Sequence, residues 1–176
     1  MPTGPPAGRG TTGGLNDDNR LRTKLRRGDG APEAIVAEVT HSGLRGRGGA
    51  AFPTGIKWKT VLDQPGPTKY ITCNADEGDS GTFSDRMLME GDPYTLLEGM
   101  AITGYAIGAK VGYIYLRGEF GWIADTLERA IAEAHSANKL GPNIFGRGVE
   151  FEVRVVRGAG SYVRGEETDP IESIDG

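Results

Sequence analysis

Apolar residues recur at two spacings along the chain, and the changes of spacing mark the elements. In residues 32–41, Ile35, Val36 and Val39 form one stripe. Pro32 suits the first turn and Gly43 lies just past the end, which predicts a helix. Residues 16–27, NDDNRLRTKLRR, are acidic first and basic last and predict a short basic helix whose apolar side is only Leu21 and Leu25. Residues 69–73, KYITC, are a β-rich run that ends in an acidic loop, NADEGDSG, at 74–81. Residues 92–109 predict a mostly buried helix opened by Asp92 and Pro93. Residues 111–120 predict a second strand. Residues 121–138 predict an amphipathic helix with Ile123, Leu127, Ala130, Ile131 and Ala134 on one face. In residues 149–156, Val149, Phe151, Val153 and Val155 alternate with Glu and Arg, as in an edge strand or one exposed on a single face. Pro53 and Gly55 are expected to prevent a helix directly after the glycine-rich stretch at 46–55. Two strand–helix–strand units in series predict an α/β fold with a parallel-rich sheet flanked by helices and right-handed crossovers.

Composition narrows the function classes. The 176 residues suit one domain with a core of its own. Residues 1–14 are rich in Pro, Gly and Thr and are expected to be disordered, so residues 1–28 divide as a tail and short helix from a binding domain at 29–176. With 20 Lys+Arg against 24 Asp+Glu the net charge is −4, which argues against a nucleic-acid grip spread over the surface. No apolar run reaches the ~18 residues of a transmembrane helix, and the N-terminus has no secretory h-region. A soluble, cytoplasmic protein is the expectation. A single cysteine, Cys73, excludes an internal disulfide or a multi-cysteine metal cage. The 29 glycines sit mainly beside charged residues at the ends of apolar segments, a placement that suggests tight loops around a ligand.

Three charged loops carry the candidate chemistry. Arg45 and the following GRGGAAFPTGIKWK combine glycines, which expose backbone N–H groups, with cations that suit an anionic oxygen. Gly46-x-Gly48-x-x-Ala51 matches the dinucleotide fingerprint formally, but a helix precedes it and no immediate helix is expected after it. The Walker loop fails as well. Five residues separate Gly49 from Gly55, Ile56 separates Gly55 from Lys57, and Trp58 stands where Ser or Thr is needed. A phosphate or nucleotide loop of another kind is favoured over a purely structural turn. In the acidic loop, Asp76, Glu77 and Asp79 suit a divalent metal, ribose and ring N–H recognition, or a solvated turn, and the spacing leaves all three open. The third loop, RGAGSYVRGEETD at 157–169, follows the last strand. Ligands of such sheets bind outside the carboxyl ends of the strands, so one crevice is expected to collect these loops. Glu166 and Glu167, adjacent in extended backbone, point to opposite faces and do not make an acid–base pair. His41 and His135 read as surface residues and Cys73 as core packing.

Four stretches in order carry a resemblance: SGLRGRGGAAFPTGIKWK, CNADEGDSGTFSDRMLMEGDPYTLLEGM, GYIYLRGEF and GAGSYVRGEET. They resemble the family of flavin- and NADH-binding subunits, which includes the NADH-oxidising flavoprotein of respiratory complex I and the diaphorase subunits of NAD-linked formate dehydrogenases and NAD-reducing hydrogenases. The wording NADEGDSGTFSDR looks closer to the formate dehydrogenase and hydrogenase branch. The resemblance covers about residues 30–176 and implies a Rossmann-like domain holding FMN and NAD(H) in one cleft, with hydride passing between them. It implies that Gly46, Arg47, Gly48 and Gly49 lie along FMN, that Lys57 sits near its phosphate and that Phe52 stacks on adenine. Asn74, Asp76 and Glu77 would hold the flavin's polar groups and Asp79 the adenosine ribose. Gly165, Glu166 and Glu167 would line flavin and nicotinamide, with Tyr162 beside them; Glu167 and Tyr162 are the candidate catalytic residues. It also implies partners: a thioredoxin-like 2Fe–2S subunit and a large catalytic subunit.

The chain departs from the family pattern in several places. Ala51 replaces a glycine of GGAGFPTG, a mild change. Arg164 replaces a small Cys, and Asp169-Pro170 replaces Ala-Leu, with Glu172 completing a fresh helix start. The family continues well beyond Gly176, so the chain reads as truncated, and Cys73 alone cannot hold the family's 4Fe–4S cluster. A non-catalytic nucleotide-binding or assembly fragment is the first rival reading. A metal-dependent phosphate enzyme using Asp76, Glu77 and Asp79 is the second.

Overall fold

The computed structural model describes residues 30–47, 50–66 and 68–158. The tail and short helix expected in residues 1–28 lie outside them. Helix α1, Pro32–His41, buries Ile35, Val36 and Val39, the stripe read from spacing. A narrow hairpin follows, in which Gly46 N–H donates to Phe52 O and Thr54 N–H to Leu44 O, both at 2.9 Å. It leads straight into helix α2, Thr54–Asp63, which corrects the expectation that Pro53 and Gly55 prevent a helix there. Pro53 is the N-cap, where a φ of −62° and a missing N–H cost nothing. Gly55 marks the crossing with α1, since a Cβ on it would lie 2.2 Å from Thr40 Oγ1 and 2.5 Å from Thr40 Cα. The other ground for setting aside the dinucleotide fingerprint stands, because a helix and not a strand precedes it.

Strand β1, Tyr70–Ala75, is followed by helices α3, Ser84–Gly91, and α4, Pro93–Ile107. Strand β2, Val111–Leu116, helix α5, Gly121–Ser136, and strands β3, Gly141–Ile144, and β4, Val149–Arg157, complete the described chain. The sheet order is β1-β2-β4-β3; β1, β2 and β4 are parallel and β3 is antiparallel to β4. This is the expected α/β class, a mostly parallel sheet flanked by helices. The strand expected at 111–120 stops at Leu116, and β4 is an interior strand. Its alternation reports one-sided burial, Phe151 and Val153 inward with Glu150 and Arg154 exposed, and β3 takes the edge.

Local chemistry fixes the helix ends. Asp92 accepts from the Thr95 N–H at 3.2 Å and from its hydroxyl at 2.7 Å, opening α4, and Gly108 at φ 77° closes it. Helices α4 and α5 cover one face of the sheet, burying Leu97, Met100, Ile123 and Leu127 against Ile114, Leu116 and Phe151. Gly104 exists for this packing, since a Cβ there would meet the Phe151 ring at 2.5 Å. On the outer side of α4, Ile102 and Ala106 pack with Ile35 and Val36 of α1, and Trp58 and Leu62 of α2 close that cluster. The opposite face of β1 leaves Tyr70, Thr72 and Asn74 exposed, with the Tyr70 ring tilted against Tyr113 at 6.1 Å.

Cys73 packs against the main core, and burial, with a smaller contribution from Asp85, pushes its thiol up to about 11 from 9.0. Iodoacetamide at pH 8 is therefore expected to label the folded chain roughly 100-fold more slowly than the denatured one. Equal rates would place Cys73 in solvent.

Candidate functional site

The carboxyl ends of β1, β2 and β4 open on one edge of the sheet. β1 runs into residues 76–83, β2 into 117–120, and β4 reaches Gly158. The last two ends are pressed together: Gly158 N–H donates to Leu116 O at 2.8 Å, and a Cβ on Gly118 would lie 2.5 Å from Gly158 O. Between the loops after β1 and β2 lies an open cleft of about 290 Å³, lined by Glu77, Asp79, Thr82, Arg86, Arg117 and Phe120 among others.

Glu77 braces this cleft from behind. Its side chain is only 3% exposed; Oε1 accepts from Asp85 N–H at 2.9 Å, and Oε2 from Arg86 N–H at 3.2 Å and Arg86 Nε at 3.1 Å. The carboxylate thereby caps α3, whose first turn has two otherwise unmatched donors here, and pairs with a guanidinium. Its backbone sits at φ 33°, a left-handed conformation that costs about 1–2 kcal/mol in a residue with a Cβ and that these bonds hold in place. Arg86 Nη2 donates onward to Thr82 O at 2.6 Å. From the β2 side, Arg117 Nη1 reaches Glu77 O and Gly78 O, each at 3.4 Å, and pairs with Glu119. Hydrogen bonding to Arg117 holds the Glu119 carboxyl below its ordinary value, so the pair is made at neutral pH and lost as pH falls through that lowered value. The Phe120 ring lies under both cations, 5.2 Å from Arg86 Cζ and 5.7 Å from Arg117 Cζ.

The residues proposed from sequence fall into three groups. Glu77 and Asp79 line the cleft, and Asn74 and Asp76 stand just before them, with Asn74 Oδ1 accepting from Asp76 N–H at 3.2 Å and Asp76 buried. Gly46, Arg47, Phe52 and Lys57 sit on the hairpin and the first turn of α2, outside the cleft lining, with Arg47, Phe52 and Lys57 exposed. Gly48, Gly49, Tyr162, Gly165, Glu166 and Glu167 lie outside the described residues, as do Arg164, Asp169, Pro170 and Glu172. Among the described residues no three His, Cys, Asp or Glu side chains converge to hold an ion, so Asp76, Glu77 and Asp79 do not form the metal centre of the phosphate-enzyme rival. Sequence reasoning missed Arg86, Arg117, Glu119 and Phe120. Its usable signal was RGEF directly after an apolar strand, which puts two cleft charges and an aromatic ring at a carboxyl end.

Ala51 is less innocuous than its size suggests, because its φ of 45° lies in the left-handed region. Ala51→Gly is expected to stabilise the fold by about 0.5–1 kcal/mol, the left-handed cost less the extra entropy of glycine in the unfolded chain. A lower denaturation midpoint for the variant would show that the strain is absent.

A mostly parallel sheet with an acidic loop facing two guanidiniums at its carboxyl edge is the arrangement of a nucleotide-binding α/β domain. Residues 39–176 match the Nuo51 FMN-binding domain, and the chain belongs to that family. It is 52% identical over 149 residues to an NADH-quinone oxidoreductase subunit of Rhizobium meliloti (strain 1021), covering 85% of this chain and 35% of the relative. It is 50% identical over 145 residues to the NADP-reducing hydrogenase subunit HndC of Solidesulfovibrio fructosivorans, covering 82% and 29%. A solved NAD+-reducing [NiFe]-hydrogenase in the H2-reduced state superposes with a TM-score of 0.75 at 38% identity, over 89% of this chain and 26% of that one. The chain thus spans about a third of the length of the curated relatives it matches. No helix among the described residues is long and apolar enough to cross a membrane.

Proposed function

We propose that the chain is the FMN- and NAD(H)-binding part of a diaphorase-type oxidoreductase subunit. The observation that carries this reading is the carboxyl edge, where the acidic loop after β1 faces two guanidiniums and an aromatic ring within a chain of the FMN-binding family. The side chains suit a phosphorylated, ring-bearing ligand. Arg47 and Lys57 are exposed cations, Phe52 presents a ring that is 53% exposed, and Asn74 and Asp76 bring amide and carboxylate oxygens to the end of β1. FMN supplies a ring that accepts or returns hydride. Arg47 and Lys57 neutralise phosphate, Gly46 lets backbone approach the ring system, and Asp79 accepts from ribose hydroxyls. With its acceptors engaged by α3 and Arg86, Glu77 acts on the ligand through the shape of the loop. Gly48, Gly49, Gly165, Glu166 and Glu167 extend the ligand contacts, and Tyr162 and Glu167 sit by the reacting rings. Electrons pass on within a larger assembly, whose partner subunits include one carrying a 2Fe–2S centre and one the terminal catalyst. The loop wording NADEGDSGTFSDR favours a formate dehydrogenase or hydrogenase assembly over complex I.

Titration of FMN into the full chain, followed by quenching of flavin fluorescence, is expected to saturate. Lys57→Ala is expected to weaken binding about 10-fold through loss of one charge-assisted hydrogen bond. Flavin released by heat should have the mass of FMN. Release of FAD, or no saturation at millimolar FMN, overturns the reading.

A further inference from the structure

The turn RGEF, residues 117–120, meets the acidic loop where β2 ends, and its parts hold one side chain in one place. Phe120 N–H donates to Arg117 O at 3.0 Å and closes the turn. Gly118 lies against Gly158 O, where no side chain fits. Glu119 comes back alongside Arg117, and its carboxylate takes Nε and Nη2 of the guanidinium together. The Phe120 ring lies beneath the same cation. With one edge clamped and one face covered, Nη1 is left to reach Glu77 O and Gly78 O.

We propose that Arg117 is a positioning residue for FMN, which fixes two peptide planes of the loop after β1 without contacting the ligand. The inference rests on the FMN-binding reading above. A trans peptide sets its C=O and N–H antiparallel. Turning Glu77 O and Gly78 O toward Arg117 therefore turns the N–H groups of Gly78 and Asp79 the other way, and neither has an acceptor among the described residues. The Glu77 carboxylate, tied to α3, cannot hold this arrangement alone. A flip of the Glu77–Gly78 peptide changes φ of Gly78, and glycine takes either sign of φ without a steric cost. Arg117 selects one of the two states. Charge separates this role from direct contact, because Glu119 already neutralises the guanidinium and leaves an anionic ligand little to gain from it.

Titration of FMN into the full chain, followed by quenching of flavin fluorescence, tests the role. Arg117→Ala is expected to weaken binding about 10-fold, the change for one charge-assisted hydrogen bond. Arg117→Lys should fall between, since an ammonium lacks the fork that holds Glu119 and the carbonyls at once. Glu119→Gln decides between positioning and contact. Loosening the clamp should weaken FMN binding about 3-fold, and the same change in the Arg117→Ala chain should add nothing. Tighter binding by Glu119→Gln would show a freed cation on the ligand and overturn the proposal, as would Arg117→Ala binding like the parent. In the ligand-free chain, thermolysin should cut before Phe83 about 5-fold faster in Arg117→Ala, since cleavage follows the opened population of the loop. The two failures are separable. A parent that does not saturate overturns the FMN reading, whereas equal cleavage rates in a parent that does saturate overturn the clamp alone.

Discussion

Gly55→Ala is expected to lower the melting temperature by roughly 6–12 °C, the shift for about 3 kcal/mol in a chain of this size. The added methyl would stand 2.2 Å from Thr40 Oγ1, 2.5 Å from Thr40 Cα and 2.7 Å from Thr40 N. Two of those three atoms are backbone inside α1, so no side-chain rotation relieves the overlap and the helices must separate. Helix propensity alone would favour alanine by about 1 kcal/mol, so the expected loss is the contact overcoming the propensity. Gly99→Ala is the matching control. Gly99 is exposed on α4, and its added Cβ meets nothing within 4 Å, so that variant should melt slightly higher than the parent. A Gly55→Ala melt within 2 °C of the parent would show that the α1–α2 crossing is not tight. Because α2 begins where the glycine-rich hairpin ends, the same substitution is expected to displace Lys57 and weaken FMN binding.

Glu77→Ala is the second large effect, expected to cost about 2–3 kcal/mol. Three hydrogen bonds to an ionised, nearly buried carboxylate disappear, and the first turn of α3 loses its cap. The cost stays below that for a fully buried ion pair because about a third of the Arg86 side chain is exposed and regains water. Glu77→Gln keeps an acceptor oxygen but loses the charge, and should fall between parent and alanine. Chemical denaturation gives the ordering directly. If glutamine and alanine are equally destabilising, charge is the whole effect; if neither shifts the midpoint, the brace is not structural.

Much of the fold was legible because its signals are local. The stripe Ile35, Val36, Val39, the Asp92–Pro93 start and the inward set Phe151, Val153 each need only a few neighbouring residues. What escaped depends on distant partners. Helix α3 has no local side-chain cap, since Phe83 occupies that position and Glu77 supplies the acceptor from eight residues upstream. Helix α2 escaped because Pro53 and Gly55 read as breakers until Thr40 of α1 is placed against Gly55. Strand β3 is four residues with Gly141 and Pro142 and has no alternation to read. Of the candidate site, the acidic residues were legible as a loop after a strand. Their cationic partners were not, because Arg117 reaches Glu77 across 40 positions of sequence.

The double duty of Glu77 has a consequence for motion. Its backbone shapes the loop that lines the cleft, and its carboxylate terminates α3, so the loop cannot swing outward without uncapping the helix. Loop and helix therefore open as one cooperative unit. The amide protons of Asp85 and Arg86, which point at that carboxylate, become reporters of the loop's state. Their exchange with deuterium should slow when a ligand holds the loop, even though neither proton touches the ligand.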